Sequence, residues 1–254
     1  MKRITVFPKI LFMILYATFL TFAQDMKPDA AKLYNEGNSL LKAGNYKGAI
    51  SNYDQALAIE KDYRIYYQKG IAQKKSNDLS GSLASFEECV KLKSDFEAGY
   101  NAVGGVYFSM GDYTTAIDNF EKVLTLSNNT GVKKKVQKNL AIAYVKLGND
   151  EMGKGNAAKA IEYLNKAVDN DKLDAAYLSL AQLYSETGDW DKCISAAENA
   201  LKYKSKISIG GPYYYMGLAY KGKGDLAKAK EMFEKTKSDP TYRKNAEYQL
   251  GLLK

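Results

Sequence analysis

The chain has 254 residues, 46% hydrophobic and 26% charged, with a formal net charge of +8 and no histidine. The lack of histidine removes Ser-His and Cys-His catalysis and the commonest metal ligand. The basic residues are almost all lysine, interleaved with Asp and Glu, and there is no Gly-rich phosphate loop or CxxC pair. Nucleotide chemistry and nucleic-acid binding are therefore disfavoured, and no cofactor, metal or catalytic site is expected.

Met1–Ala23 stands apart from the rest. Lys2, Arg3 and Lys9 flank the start of an apolar run, Ile10–Phe22, and Thr21-Phe22-Ala23 places small residues where a signal peptidase reads. Residues 1–23 read as a secretory signal peptide cleaved before Gln24. The run is about 13 residues, short of the ~20 that span a bilayer. No cysteine follows the cleavage site, which argues against a lipid anchor. Removing the three leader cations leaves +5. Export to a bacterial periplasm or to the cell surface is the expectation, with no membrane insertion after cleavage.

From Ala30 onward the apolar residues recur at three- and four-residue steps, interrupted at regular intervals by a Gly-Asp or Gly-Asn pair. The clearest stretch is Ala98–Leu126. Tyr100, Val103, Gly104 and Tyr107 share one helical face, Gly111-Asp112 breaks the pattern, and Ala116, Ile117, Phe120, Val123 and Leu124 form a second stripe. Gly suits the left-handed residue past a helix end, and Asp caps the next helix. The unit is a helix hairpin with a buried inner face, too small to fold alone.

The hairpin recurs six times in one register. Gly104 has counterparts at Gly37, Gly70, Gly148, Ala181 and Gly217, and Ala116 at Ala49, Ser82, Ala160, Cys193 and Ala229. Phe120 aligns with Tyr53, Phe86, Leu164, Ala197 and Phe233. A helical glycine costs about 1 kcal/mol relative to alanine, so a repeated one signals close helix approach, expected here between Gly104 and Ala116. The Gly104, Tyr107, Ala116, Phe120 and Val123 pattern resembles the tetratricopeptide repeat family over nearly all the chain after the leader. Tyr107 is replaced by Leu40, Gln73 and Glu151 in three copies. The resemblance implies an all-α fold, a right-handed α-solenoid of six hairpins with a C-terminal capping helix. Repeats one to three occupy 24–126, repeats four to six 127–238, and the cap 239–254.

Glycine spacings of 33 and 34 give way to 44 between Gly104 and Gly148. The added residues restart a helix near Val132 that runs to about Gly153 and is expected to project past one edge of the array. Lys133, Lys134, Lys135 and Lys138 on it read as a solvated face or as a basic patch for an acidic partner. Cys89 and Cys193 fall in the second and fifth copies at small-residue packing positions, too far apart to pair. Lys230 and Lys237 replace apolar residues of earlier copies, marking the array end. Asp239-Pro240 then starts a last helix, Thr241–Leu253.

The resemblance implies that first helices line a concave groove that receives a partner protein or peptide. By register the groove candidates are Tyr34, Asn38, Tyr67, Ile71, Asn101, Gly105, Phe108, Asn149, Gln182 and Tyr214, with Val145, Leu178 and Leu218 in the same columns. Tyr66, Tyr100, Tyr144, Tyr177 and Tyr213 are assigned to packing between repeats. The C-terminal carboxylate clamp of one family subgroup is disfavoured, because Ala98 and Ala102 stand where its basic residues belong. The expected function is a non-catalytic exported scaffold, with self-association possible. The alternative is a glycan-binding or peptidoglycan-processing accessory protein, since exposed tyrosines stack on sugars.

Overall fold

The computed structural model describes residues 26–253, so the leader assigned to residues 1–23 lies outside it. Among the described residues thirteen α-helices follow one another and no strand forms. They pair as α1 (Pro28–Lys42) with α2 (Tyr46–Ile59), α3 (Tyr63–Lys75) with α4 (Leu79–Leu92), and α5 (Glu97–Met110) with α6 (Tyr113–Leu126). Then come α7 (Thr130–Gly153) with α8 (Ala157–Asn170), α9 (Asp174–Thr187) with α10 (Trp190–Lys202), and α11 (Gly210–Gly222) with α12 (Leu226–Thr236). The single helix α13 (Arg243–Leu252) closes the stack. Each helix packs on the one before and the one after, which makes the molecule an all-α solenoid.

The turns form for the reason their residues suggest. Each hairpin turns through a left-handed residue, with φ running from 65° at Asn77 to 86° at Gly111. Glycine adopts that conformation without strain and asparagine tolerates it. Asn45, Asp78, Asp112, Asp189 and Asp225 then accept a hydrogen bond from the backbone N–H three residues on, capping the second helix. Asn156 is the exception. It makes no such cap, and its Nδ2 donates to Glu151 Oε2 at 2.8 Å. Gln73 does the same in the second hairpin, donating to Asp78 Oδ2 at 3.4 Å while accepting from Ser85 Oγ at 2.6 Å. Two of the three departures from the tyrosine column are thus side chains that hold the turn.

Inside the hairpins the glycine column meets the aromatic column. A Cβ added at Gly37 would stand 2.6 Å from the Tyr53 ring, at Gly70 2.6 Å from Phe86, at Gly104 2.8 Å from Phe120, and at Gly217 2.5 Å from Phe233. The side chain that the missing Cβ accommodates is therefore this ring and not Ala116, whose backbone carbonyl lies next at 3.1 Å from that Cβ position. Where the second helix carries Ala197 instead of a ring, the first carries Ala181 instead of glycine, and both are fully buried. The small-residue column does approach the neighbouring backbone closely. Ser82 Oγ donates to the Gly70 carbonyl at 2.8 Å, and Cys193 Sγ to the Ala181 carbonyl at 3.2 Å. Cys89 and Cys193 are free and buried, and burial pushes both thiols up to about 12.

Helix α7 differs from the expectation. It has 24 residues, about 36 Å at 1.5 Å per residue, and its added turns pack inward instead of projecting. Val136 and Leu140 are 2% and 1% exposed and belong to the largest core cluster, which runs from α6 to α11. Lys134, Lys135 and Lys138 stay on the outer side, and Lys133 is half-buried. With 14 residues each, α6 flanks the N-terminal part of α7 and α8 its C-terminal part.

Two buried carboxylates hold the linker between α10 and α11. Asp174 Oδ2 accepts from the backbone N–H groups of Ser205 at 2.6 Å, Lys206 at 2.7 Å and Ile207 at 3.1 Å. Asp239 holds the other end through Ser208 and Gly210, and also accepts from the N–H groups of Thr241 and Tyr242. That turn delays α13 to Arg243, two residues later than expected. Ala246 is buried, and Leu250 and Leu253 pack on the Phe233 cluster. Lys230 and Lys237 face water, as an array end requires.

Candidate functional site

A groove opens between α5 and α7. Glu97, Ala98, Asn101, Gly105 and Phe108 form one stripe along α5, at the three- and four-residue steps of a single helix face. The facing stripe on α7 is Val132, Lys135, Val136, Asn139 and Ile142. Phe120 and Val123 of α6 supply the floor.

The groove contains two adjoining cavities. The larger, of about 450 Å³, lies at the N-terminal ends of the two helices and is walled by Ala98, Val123, Val132 and Val136, with Glu97, Lys135 and Lys138 at its rim. The smaller, of about 150 Å³, lies between Gly105, Phe108, Phe120, Asn139 and Ile142. Asn139 borders both, and at the waist its Nδ2 reaches Asn101 Oδ1 at 3.5 Å, the outer limit of a hydrogen bond. From α3, Lys74 Nζ donates to the Gly105 carbonyl at 3.2 Å, and burial lowers the pKa of this lysine.

The sequence dictates this opening in two ways. Gly105 has no side chain, and a Cβ there would meet only Lys74 Nζ, at 3.3 Å. Helix α7 packs onto α6 through Val136 and Leu140, and α5 and α7 make little direct contact, whereas α9 and α11 lie side by side.

Three of the residues expected in a groove, Asn101, Gly105 and Phe108, line this one. The others lie elsewhere along the first helices. Tyr34 packs 6.1 Å from Tyr53, and Asn38 Oδ1 accepts from the Tyr53 hydroxyl at 2.8 Å. Tyr67 sits 5.7 Å from Phe86 and 5.2 Å from Phe96, with Ile71 in the same cluster. Asn149 Oδ1 accepts from Ser179 Oγ at 3.4 Å, and Gln182 Nε2 donates to Glu186 at 2.9 Å. Tyr214 packs among Tyr215, Phe233 and Tyr242 at 5.5–5.9 Å. Val145, Leu178 and Leu218 are half-buried against neighbouring clusters.

Val132, Lys135, Val136 and Asn139 of the α7 wall are not among the groove candidates, because they lie in the inserted turns where the repeat register assigns nothing, and Ile142 stands in the column of Ala98, outside the columns assigned to the groove. The signal was present in the spacing of Val132, Lys135, Asn139 and Ile142. Among the described residues no cluster of His, Cys, Asp or Glu is placed to hold a metal ion, and every buried polar side-chain atom has a partner. Among them, too, no helix is long and apolar enough to cross a membrane. The groove offers apolar walls, two amides and cations.

Family profiles described as tetratricopeptide repeat match residues 30–63, 63–96, 95–172, 145–208 and 213–241. This chain belongs to the tetratricopeptide repeat family. A TPR repeat-containing protein of Methanocaldococcus jannaschii is 28% identical over 126 residues, 49% of this chain and 20% of that relative's length. Among solved structures, YrrB, described as a TPR protein with an unusual peptide-binding site, is 21% identical with a TM-score of 0.51, over 77% of this chain and 97% of that one. A double mutant of MamA from strain RS-1 is likewise 21% identical with a TM-score of 0.51, over 70% and 96%. At these identities the likeness is one of fold.

Proposed function

We propose that this chain is a non-catalytic scaffold that binds another protein or peptide, and that the partner lies in the α5–α7 groove. One observation carries the reading. Two facing helix stripes enclose an apolar floor made by Phe120 and Val123, open to solvent and crossed by the Asn101–Asn139 amide pair. Buried apolar side chains supply affinity in such interfaces, and amides hold a partner's backbone in register. The peptide-binding site named for YrrB supports the same class of function on this fold. Export, with cleavage before Gln24 and a place in a bacterial periplasm or at the cell surface, completes the proposal and rests on the leader sequence.

A photo-crosslinking amino acid at Ile142, introduced in cells, should trap a specific partner, and the same group at Tyr248, outside the groove, should not. Gly105→Trp directs an indole into the smaller cavity beside Phe108, Phe120 and Ile142, and its Cβ meets only Lys74 Nζ, so it should abolish the Ile142 crosslink while leaving the helical circular dichroism unchanged. An undiminished crosslink in that variant would exclude the groove as the binding surface.

A further inference from the structure

The charges at the groove are lopsided. Lys135 and Lys138 stand at the rim of the larger cavity and Lys74 at the smaller one, against the single acidic side chain of Glu97. Ion pairs take up lysines elsewhere on the surface, including Lys69, Lys91, Lys154, Lys166 and Lys192, but among the described residues none involves Lys135 or Lys138. Both sit on the inserted turns of α7, beside the exposed Lys134. The cavities differ in character. The smaller is walled by Phe108, Phe120 and Ile142, and its 150 Å³ is the scale of a space that holds one benzene-sized group.

Resting on the groove reading above, we infer that the occupant is an extended peptide carrying one large apolar side chain and one carboxylate about three residues apart. The apolar side chain fills the pocket at Phe108, and the carboxylate lies between Lys135 and Lys138. The spacing follows from helix geometry. Along α7, Ile142 of the smaller cavity lies seven residues from Lys135 and four from Lys138, roughly 6–10 Å at 1.5 Å per residue. In a polyproline-type extended chain, residues three apart fall on the same side, about 9 Å from one another. The Asn101 and Asn139 amides at the waist face the backbone between the two anchors. Their mutual contact is long enough at 3.5 Å to be exchanged for bonds to a peptide. Glu97 disfavours a second carboxylate beyond the first.

The test uses the mature chain and a fluorescein-labelled peptide, Ser-Phe-Ser-Ser-Glu-Ser, against the same peptide with glutamine in place of glutamate, read by fluorescence polarisation. At low ionic strength the glutamate peptide should bind about fivefold tighter, and the advantage should shrink at high salt. Lys135→Gln combined with Lys138→Gln should erase the advantage while leaving the glutamine peptide's affinity unchanged. Equal binding of the two peptides overturns the inference. So does an advantage that survives the double substitution, or no saturable binding of either peptide. If the Ile142 crosslink is lost in Gly105→Trp yet the peptides show no preference for glutamate, the groove reading stands and the acidic occupant fails. An undiminished crosslink in Gly105→Trp removes both.

Discussion

Glycine in a helix interior costs about 1 kcal/mol relative to alanine, yet five first helices carry one opposite a bulky side chain. Burying a ring the size of Phe120 contributes roughly 1.5–3 kcal/mol, so the exchange favours the pair as a unit. Gly104→Ala should therefore destabilise the protein by about 1–3 kcal/mol in urea unfolding, against the helix propensity of alanine, because the ring must move. Phe120→Ala should remove most of that penalty, as the natural pair Ala181 and Ala197 suggests. Additive single-mutant effects in the double-mutant cycle would contradict the pairing. The glycine column itself was legible in the sequence as a sign of close approach. Its true partner was not, because a contact between residues sixteen apart on two helices depends on which way a ring turns across the hairpin.

At the scale of elements, lysines of second helices repeatedly lie over tyrosines of first helices. Lys122 is 6.0 Å from the Tyr100 ring, Lys166 5.9 Å from Tyr144, and Lys235 5.3 Å from Tyr213. A compact charge on a flexible stem suits this surface, which gives the lysine-rich composition a structural use. The linker between α10 and α11 is governed by Asp174. Burial pushes its pKa up, but the backbone donors of Lys206, Ser205 and Ile207 outweigh that and bring it down to about 2. An ordinary aspartate titrates near 3.9, so the folded state gains stability that is present in full above that pH and lost as pH falls toward 2. The stability gap between the native chain and Asp174→Ala should thus be largest at pH 7 and narrow by on the order of 2 kcal/mol between pH 5 and pH 2 in denaturant titrations. A pH-independent gap would show that Asp174 acts through packing alone. The role of Asp174 was hidden in the sequence, since its partners lie 31 to 33 residues away.

Across the whole molecule the core is unevenly shared. One cluster runs from α6 to α11, while α1 and α2 depend on a small one built on Ala49, Tyr53, Ala56, Ile65 and Ala72. In a stack where each hairpin contacts only its neighbours, terminal units open at lower free energy. Native-state hydrogen exchange should find the amides of α1 and α2 exchanging ahead of those of α7 to α10. Uniform protection along the array would mean that the solenoid unfolds as one unit. The long helix α7 divides the array, with α6 on its first part and α8 on its last.

Helix identity, hairpin turns, the caps of five of the six hairpins and the six-fold register were decided by the sequence alone, because each rests on interactions within a few residues along the chain. Glycine at left-handed turns, carboxylates capping the next N–H groups and apolar stripes at helical spacing need no distant partner to be recognised. Asn101, Gly105 and Phe108 were legible as groove candidates for the same reason. The groove itself was decided only by tertiary packing. Burial of Val136 and Leu140 swings the inserted turns of α7 inward, and that non-local contact brings Lys135, Asn139 and Ile142 to face α5.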